Sequence, residues 1–320
     1  MPAEFSTEAT QMLTSGAIVA SVALPLGLLG WLSRSRSEGL LPSWKPWRVP
    51  WGGFEVLGSF VVVSFAIPLM VLSSRLVPPM AVGVVAFPIQ LAFFVVTAVA
   101  MYPKWRPRVS LSGALPVAVL AWLLLTPTIL LFHAGVVQVF TALDMKPDEH
   151  PLAKFGGESL LEQVWFLKHA CIAAPLIEEI LFRGILLTWV IGVRERGPGH
   201  VSAAVPAALR PWFVMGFALL FSATSGKVGP MVFAAILAAG LAVVWVTVRR
   251  GKRHIRSVYA TAAMFAMVHS SVWPSPVPLF LLGLGLGWCA VRTRGVLVPA
   301  IVHGLFNAVS AVFVLRSGTG

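Results

Sequence analysis

The residues best suited to chemistry begin with an acid pair. Glu178 and Glu179 stand in the run AAPLIEEILFRG (residues 173–184), with Arg183 following four residues after Glu179. Four residues is one helical turn, and Glu ahead of Arg is the favourable order for an ion pair. Successive side chains diverge by about 100° around a helix, so if one carboxylate pairs with Arg183 the other faces elsewhere. Pro175, just upstream, loosens the backbone and frees a carbonyl toward a polar cavity. Two more groups match: His269 closes the run FAMVH that starts at Phe265, and His303 precedes Asn307 by one turn. A carboxylate beside a histidine in a low-dielectric pocket holds and deprotonates a water. A second histidine and an asparagine donate to an oxyanion, or ligate a metal that polarises the carbonyl. Glu178, His269 and His303 would also serve as a zinc ligand set with a fourth position left for water. Metal and metal-free versions both fit the residue types.

Other chemistries lack their parts. There is no H-E-x-x-H and no G-x-S-x-G. The two aspartates, Asp144 and Asp148, both fall in an expected loop over 133–159, which excludes an intramembrane aspartate dyad.

The elements that must position these groups are apolar. Of 320 residues, 58% are apolar and 11% charged, against about 25% charged in soluble domains. With a mean hydropathy of +0.86, that excludes a water-soluble enzyme and a disordered chain. The fold class expected is all-α, a polytopic transmembrane helix bundle of about eight to ten spans. Apolar runs place them near 12–32, 52–73, 80–102, 113–132, 164–192, 207–223, 230–248, 255–270, 277–291 and 296–315. The acids preceding the first run argue against a cleaved signal peptide.

Glu178 and Glu179 then lie about 14 residues, or about 21 Å of helix, from either end of the fifth span. His269, His303 and Asn307 fall near the same depth. Ionisable groups so placed mark a pathway or a reaction centre. A proton- or ion-coupled transporter is the rival class, but no repeat of broken helices accompanies these residues.

The net charge of +12 reports topology. Most of the 24 basic residues, among them Arg34, Arg36, Lys104, Arg108, Arg194, Arg210, Arg249, Arg253, Arg256 and Arg292, fall in alternate loops. The positive-inside rule then puts both termini outside the cytoplasm, and nucleic acid is not an expected partner. Trp31, Trp51, Trp105, Trp165, Trp212 and Trp273 sit near span ends, where indoles prefer the headgroup layer. Gly283, Gly285 and Gly287 lie in an apolar run and suit close helix packing. Cys171 and Cys289 imply no disulfide.

The motifs EEILFR (178–183), FxxxH (265–269) and HxxxN (303–307), in this order and spacing, resemble those of the CPBP family. That family includes the CAAX-type prenyl-protein proteases, such as the Ras-converting enzyme, and the bacterial Abi and bacteriocin-processing proteins. The resemblance covers about residues 160–315 and implies intramembrane proteolysis of a membrane-associated protein or peptide, with a non-catalytic relative acting as a scaffold or immunity protein as the further alternative. It implies Glu178 as the base, assisted by His269; Glu179, Arg183 and Phe265 as residues that shape the site; and His303 and Asn307 as oxyanion donors or members of a metal site. Family members are classed both as metalloproteases and as glutamic proteases, so zinc and a metal-free glutamate mechanism both stay open. The implied setting is a bacterial cytoplasmic membrane. About 81 residues separate Arg183 from Phe265, more than the family pattern leads one to expect, which suggests an inserted helical pair near 200–250. The expected organisation is accessory spans over 1–159 ahead of a catalytic core over 160–320.

Overall fold

The computed structural model describes residues 48–49, 51–61, 92, 96, 111–142, 144, 148, 160–194, 205–248 and 253–317. The expected span at 12–32 lies outside the described residues, as does that at 80–102 apart from positions 92 and 96. Of the span at 52–73, residues 53–61 are described, as helix α1. Then follow α2 (Leu111–Ala142), a long α3 over residues 160–191, α4 (Arg210–Thr224) and α5 (Val228–Thr247). The last three are α6 (Arg253–Met267), α7 (Pro276–Thr293) and α8 (Leu297–Ser317). The fold is all-α, qualified among the described residues only by a two-residue parallel pairing of Arg48–Val49 with Val193–Arg194.

In hydrocarbon no water satisfies a free backbone group, so an apolar run of this length closes its hydrogen bonds within a helix. Ser112–Ala142, α5 and α7 are each long and apolar enough to cross a membrane. Val232, Ile236 and Val246 of α5 are exposed, which suits a lipid-facing surface. One expected boundary is corrected. The fourth span does not end near 132, because α2 runs on to Ala142 through the apolar stretch after His133, despite Pro116 and Pro127 inside it.

Helix α6 is the centre of the bundle, with Ala260, Ala262, Ala263, Phe265, Ala266 and Met267 all fully buried. Its small residues let α7 approach closely: a Cβ on Gly283 would sit 3.1 Å from Ala262 Cα, and one on Gly287 would sit 2.9 Å from Val258. Helices α4 and α5 form an antiparallel pair joined by a tight turn at Gly226, whose φ of +65° favours glycine. The turn delivers Lys227 to the end of the bundle where α2 finishes.

Candidate active site

Helix α3 is not a uniform α-helix. Its Leu160–Lys168 segment passes into a π-helical turn at His169–Ala173, returns to α over Ala174–Glu179, and widens again to π over Ile180–Leu187. The glutamate pair therefore ends a short α segment between two π segments, an irregularity that often accompanies functional sites. In the first of these the Ala174 N–H donates to His169 O, five residues back. The same register would have residue 175 donate to Ala170 O, but proline has no N–H. Asn307 of α8 supplies the missing donor, its Nδ2–H reaching Ala170 O at 2.8 Å. One turn earlier on α8, Gly304 lies against Cys171 O, where a Cβ would overlap the carbonyl. Pro175, Asn307 and Gly304 together dock α8 onto α3 and bring His303 beside the acid pair. Trp51 donates from Nε1 to Ile185 O at 3.2 Å, giving the second π segment a partner.

The two glutamates occupy different environments. Glu179 is fully buried and its Oε1 accepts from Arg183 Nη1 at 2.8 Å and from His303 Nδ1 at 3.0 Å. Arg183, also buried, donates from Nη2 to Gly283 O at 3.3 Å, and its Cζ lies 4.4 Å from the centre of the Phe265 ring. A buried charge needs this degree of pairing. Because Arg183 and His303 both donate to it, Glu179 acts as the ionised acceptor.

Glu178 faces the other way, with 28% of its side chain exposed. Its Oε2 has no hydrogen-bond partner and lies 3.9 Å from His303 Nε2 and 4.0 Å from His269 Nε2. The Nδ1 of each imidazole is already used. That of His269 donates to Phe265 O at 2.8 Å, since a carbonyl only accepts, and that of His303 donates to Glu179. In the neutral tautomers so defined, both Nε2 atoms are lone-pair acceptors. One carboxylate oxygen and two imidazole nitrogens thus converge on a gap with no protein donor between them. Oε2 is sealed from solvent in this conformation, and a small widening of the 3.9 and 4.0 Å separations would let one water oxygen bridge the carboxylate and an imidazole with bonds of about 2.8 Å.

A divalent metal would also suit three acceptors in chemical type. Among the described residues, though, no group of three or more His, Cys, Asp and Glu side chains is arranged to hold one.

Phe265 organises the site from its centre. Its ring packs edge-on against Phe182 (5.2 Å between centroids), His269 (5.2 Å) and His303 (5.6 Å). Phe60 of α1 extends the stack through Phe182 at 5.4 Å. Beyond it lies an almost wholly apolar cavity of about 270 Å³, lined among others by Val56, Phe60, Trp189, Phe213 and Met264 and by none of the polar site residues.

Glu178, Glu179, Arg183, Phe265, His269 and His303, all expected from the sequence, are thus brought together. Asn307 joins them through the backbone of α3. The carbonyls of Ala170 and Gly283, the glycine at 304 and the indole of Trp51 had no signal in residue type beyond Pro175 and the HG pair at 303–304.

The three motifs and their geometry agree with a comparison to known families. Residues 160–253 and 249–309 match the family model for type II CAAX prenyl endopeptidases, described as Rce1-like. The matched stretch is just under half of the chain and holds all three motifs, so this part of the chain is similar to that family. The match supports a CAAX-type intramembrane endopeptidase in general, and three helices long and apolar enough to cross a membrane agree with a membrane protein. No curated protein and no solved structure matches the chain.

Proposed function

We propose that this chain hydrolyses a peptide bond near the C-terminal or membrane-embedded end of a membrane-associated protein or peptide, using a water activated by Glu178. The observation that carries this reading is the partnerless Glu178 Oε2 placed 3.9 and 4.0 Å from two imidazole Nε2 atoms. In the gap, a water donates one proton toward Glu178 and the other toward His269 Nε2, which aims an oxygen lone pair at the scissile carbonyl carbon. As the C–O bond forms, Glu178 takes the first proton. When the C–N bond breaks, Glu178 passes that proton to the leaving nitrogen, giving a carboxylic acid and an amine. A proton taken up from solvent converts His303 Nε2 from acceptor to donor, and it then donates to the oxyanion with Glu179 as its counter-charge. Asn307 has one N–H committed to Ala170 and uses its second for the oxyanion. Arg183 and Phe265 hold Glu179 and the imidazoles in place.

The setting proposed is a bacterial cytoplasmic membrane with both termini on the outer side. The described contacts support this orientation. Arg210 and Arg256 cap helix ends on one side of the bundle, at Trp189, Gly192, Trp245 and Val248, while Asp148, Lys227 and Trp273 meet on the other. Helices α4 and α5 are proposed as the inserted pair, and residues 1–159 as accessory spans ahead of the core.

The test is product analysis on the purified full chain with a fluorogenic peptide ending in a CAAX tetrapeptide, farnesylated or not, in ¹⁸O water. Cleavage with ¹⁸O in the new carboxyl group, abolished in Glu178→Ala and strongly reduced but still measurable in His269→Ala, is expected. Solute flux dependent on Glu178 without any cleavage would instead establish the transporter reading. Loss of activity to a chelator with recovery on adding zinc would require Glu178, His269 and His303 to close around a metal.

A further inference from the structure

His269 hangs from the end of α6, its N–H donating to Ala266 O at 3.0 Å and its Nδ1 to Phe265 O at 2.8 Å, but it lies beyond the last helical residue. Helix α6 ends at Met267, and His269 sits in the turn that leads through Ser270, Ser271, Val272 and Trp273 to α7. Three attachments from elsewhere fix that turn. Ser270 Oγ donates to Phe221 O of α4 at 3.2 Å. Trp273 N–H donates to Asp148 Oδ2 at 2.6 Å while Asp148 N–H donates back to Trp273 O at 2.8 Å, a two-point clasp between backbone strands. Lys227 Nζ, from the α4–α5 turn, donates to the same Asp148 Oδ2 at 2.5 Å and to Ser271 O at 3.0 Å. The Trp273 ring is wedged behind this knot, 5.9 Å from Phe140 at the end of α2 and against Gly229 of α5, where a Cβ would lie 2.7 Å from the ring.

We infer that Asp148 and Lys227 are positioning residues for His269, clasping the turn that carries it from outside the polar site. The inference rests on the hydrolytic reading above, and it assigns a role to a residue that lies ahead of the family-matched stretch. Asp148 touches none of the reacting groups. It acts by fixing Trp273 and, through Lys227, Ser271, two residues from His269. A turn freed to shift by an ångström would carry His269 Nε2 away from Glu178 and misdirect the water, leaving the bulk of the bundle in place.

The experiment measures steady-state cleavage of the same CAAX-terminated peptide by the full chain in detergent. The variants are Asp148→Asn, Lys227→Gln, His269→Ala and the double variant Asp148→Asn/His269→Ala. Asp148→Asn and Lys227→Gln are expected to lower kcat about 10- to 100-fold with KM changed by less than about twofold. Asp148→Asn is expected to add nothing in the His269→Ala background. Hydrogen exchange over residues 266–275 should quicken in Asp148→Asn while α7 and α8 keep wild-type exchange. Equal losses from Asp148→Asn with and without His269, wild-type kcat in Asp148→Asn, or unchanged exchange over 266–275 would each overturn the clasp. Loss of activity in His269→Ala beside full activity in Asp148→Asn removes only this inference; full activity in His269→Ala removes the hydrolytic reading as well.

Discussion

Adjacent glutamates with opposite surroundings should respond oppositely to the same substitution. Glu179 is the acceptor that neutralises buried Arg183 and anchors His303. Glu179→Gln leaves the guanidinium buried without its counter-charge, and breaking such a pair costs about 3–5 kcal/mol. Denaturation in detergent should show this as a lowered midpoint. Glu179→Gln/Arg183→Met should regain much of the loss, because replacing both members with packed neutral groups removes the stranded charge. Glu178 makes no hydrogen bond through Oε2, so Glu178→Gln should unfold at or above the wild-type midpoint. The residue types and their order were legible in the sequence, as was the logic that Arg183 leaves one carboxylate over. Which glutamate faces the histidines depends on the rotation of α3 against α6 and α8, and residue spacing within one helix carries no information about that rotation.

At the scale of elements, irregularity in α3 does the positioning. A continuous α-helix over 164–192 is what the hydrophobic pattern supports, and the π segments are hidden because a wider turn leaves the run just as apolar. Pro175 was the one visible sign. Its consequence, an unpartnered Ala170 carbonyl met by Asn307, needs the register of a neighbouring helix to be known. Asn307→Leu should cost about 1 kcal/mol by leaving that part-buried carbonyl without its donor. Pro175→Ala restores an N–H at position 175 and should make Asn307→Leu markedly cheaper. A double-mutant cycle on denaturation midpoints reads this as a coupling energy; strict additivity would contradict it. The HxxxN spacing was legible because one turn is one turn. Gly304 between those residues was not, because its need arises from the approach of Cys171 on another helix.

Across the whole molecule, the helices after residue 205 follow the apolar runs closely, since lipid demands continuous helix. The loop expected over 133–159 is shorter, because α2 continues to Ala142, and it carries structure: Asp148 ties the α2 end to the α4–α5 and α6–α7 turns. The Lys227 ammonium hydrogen-bonded to Asp148, with help from the Trp273 N–H, holds this carboxyl below the usual carboxylate range. A carboxyl whose folded pKa is depressed contributes stability above its unfolded pKa of about 4 and loses it as pH falls through the lower folded value. The stability advantage of wild type over Asp148→Asn should accordingly be constant at neutral pH and shrink on acidification below about pH 4; an advantage unchanged at pH 3 would contradict the ion-paired clasp. Everything at this scale serves one gap between three acceptors. The most direct measurement is single-turnover cleavage of a CAAX-terminated peptide by Glu178→Gln, beside wild type, in samples shown by denaturation to be equally folded. The expected result is a rate about 10²–10⁴-fold lower in the variant; a wild-type rate from a folded Glu178→Gln protein would contradict activation of water by this carboxylate.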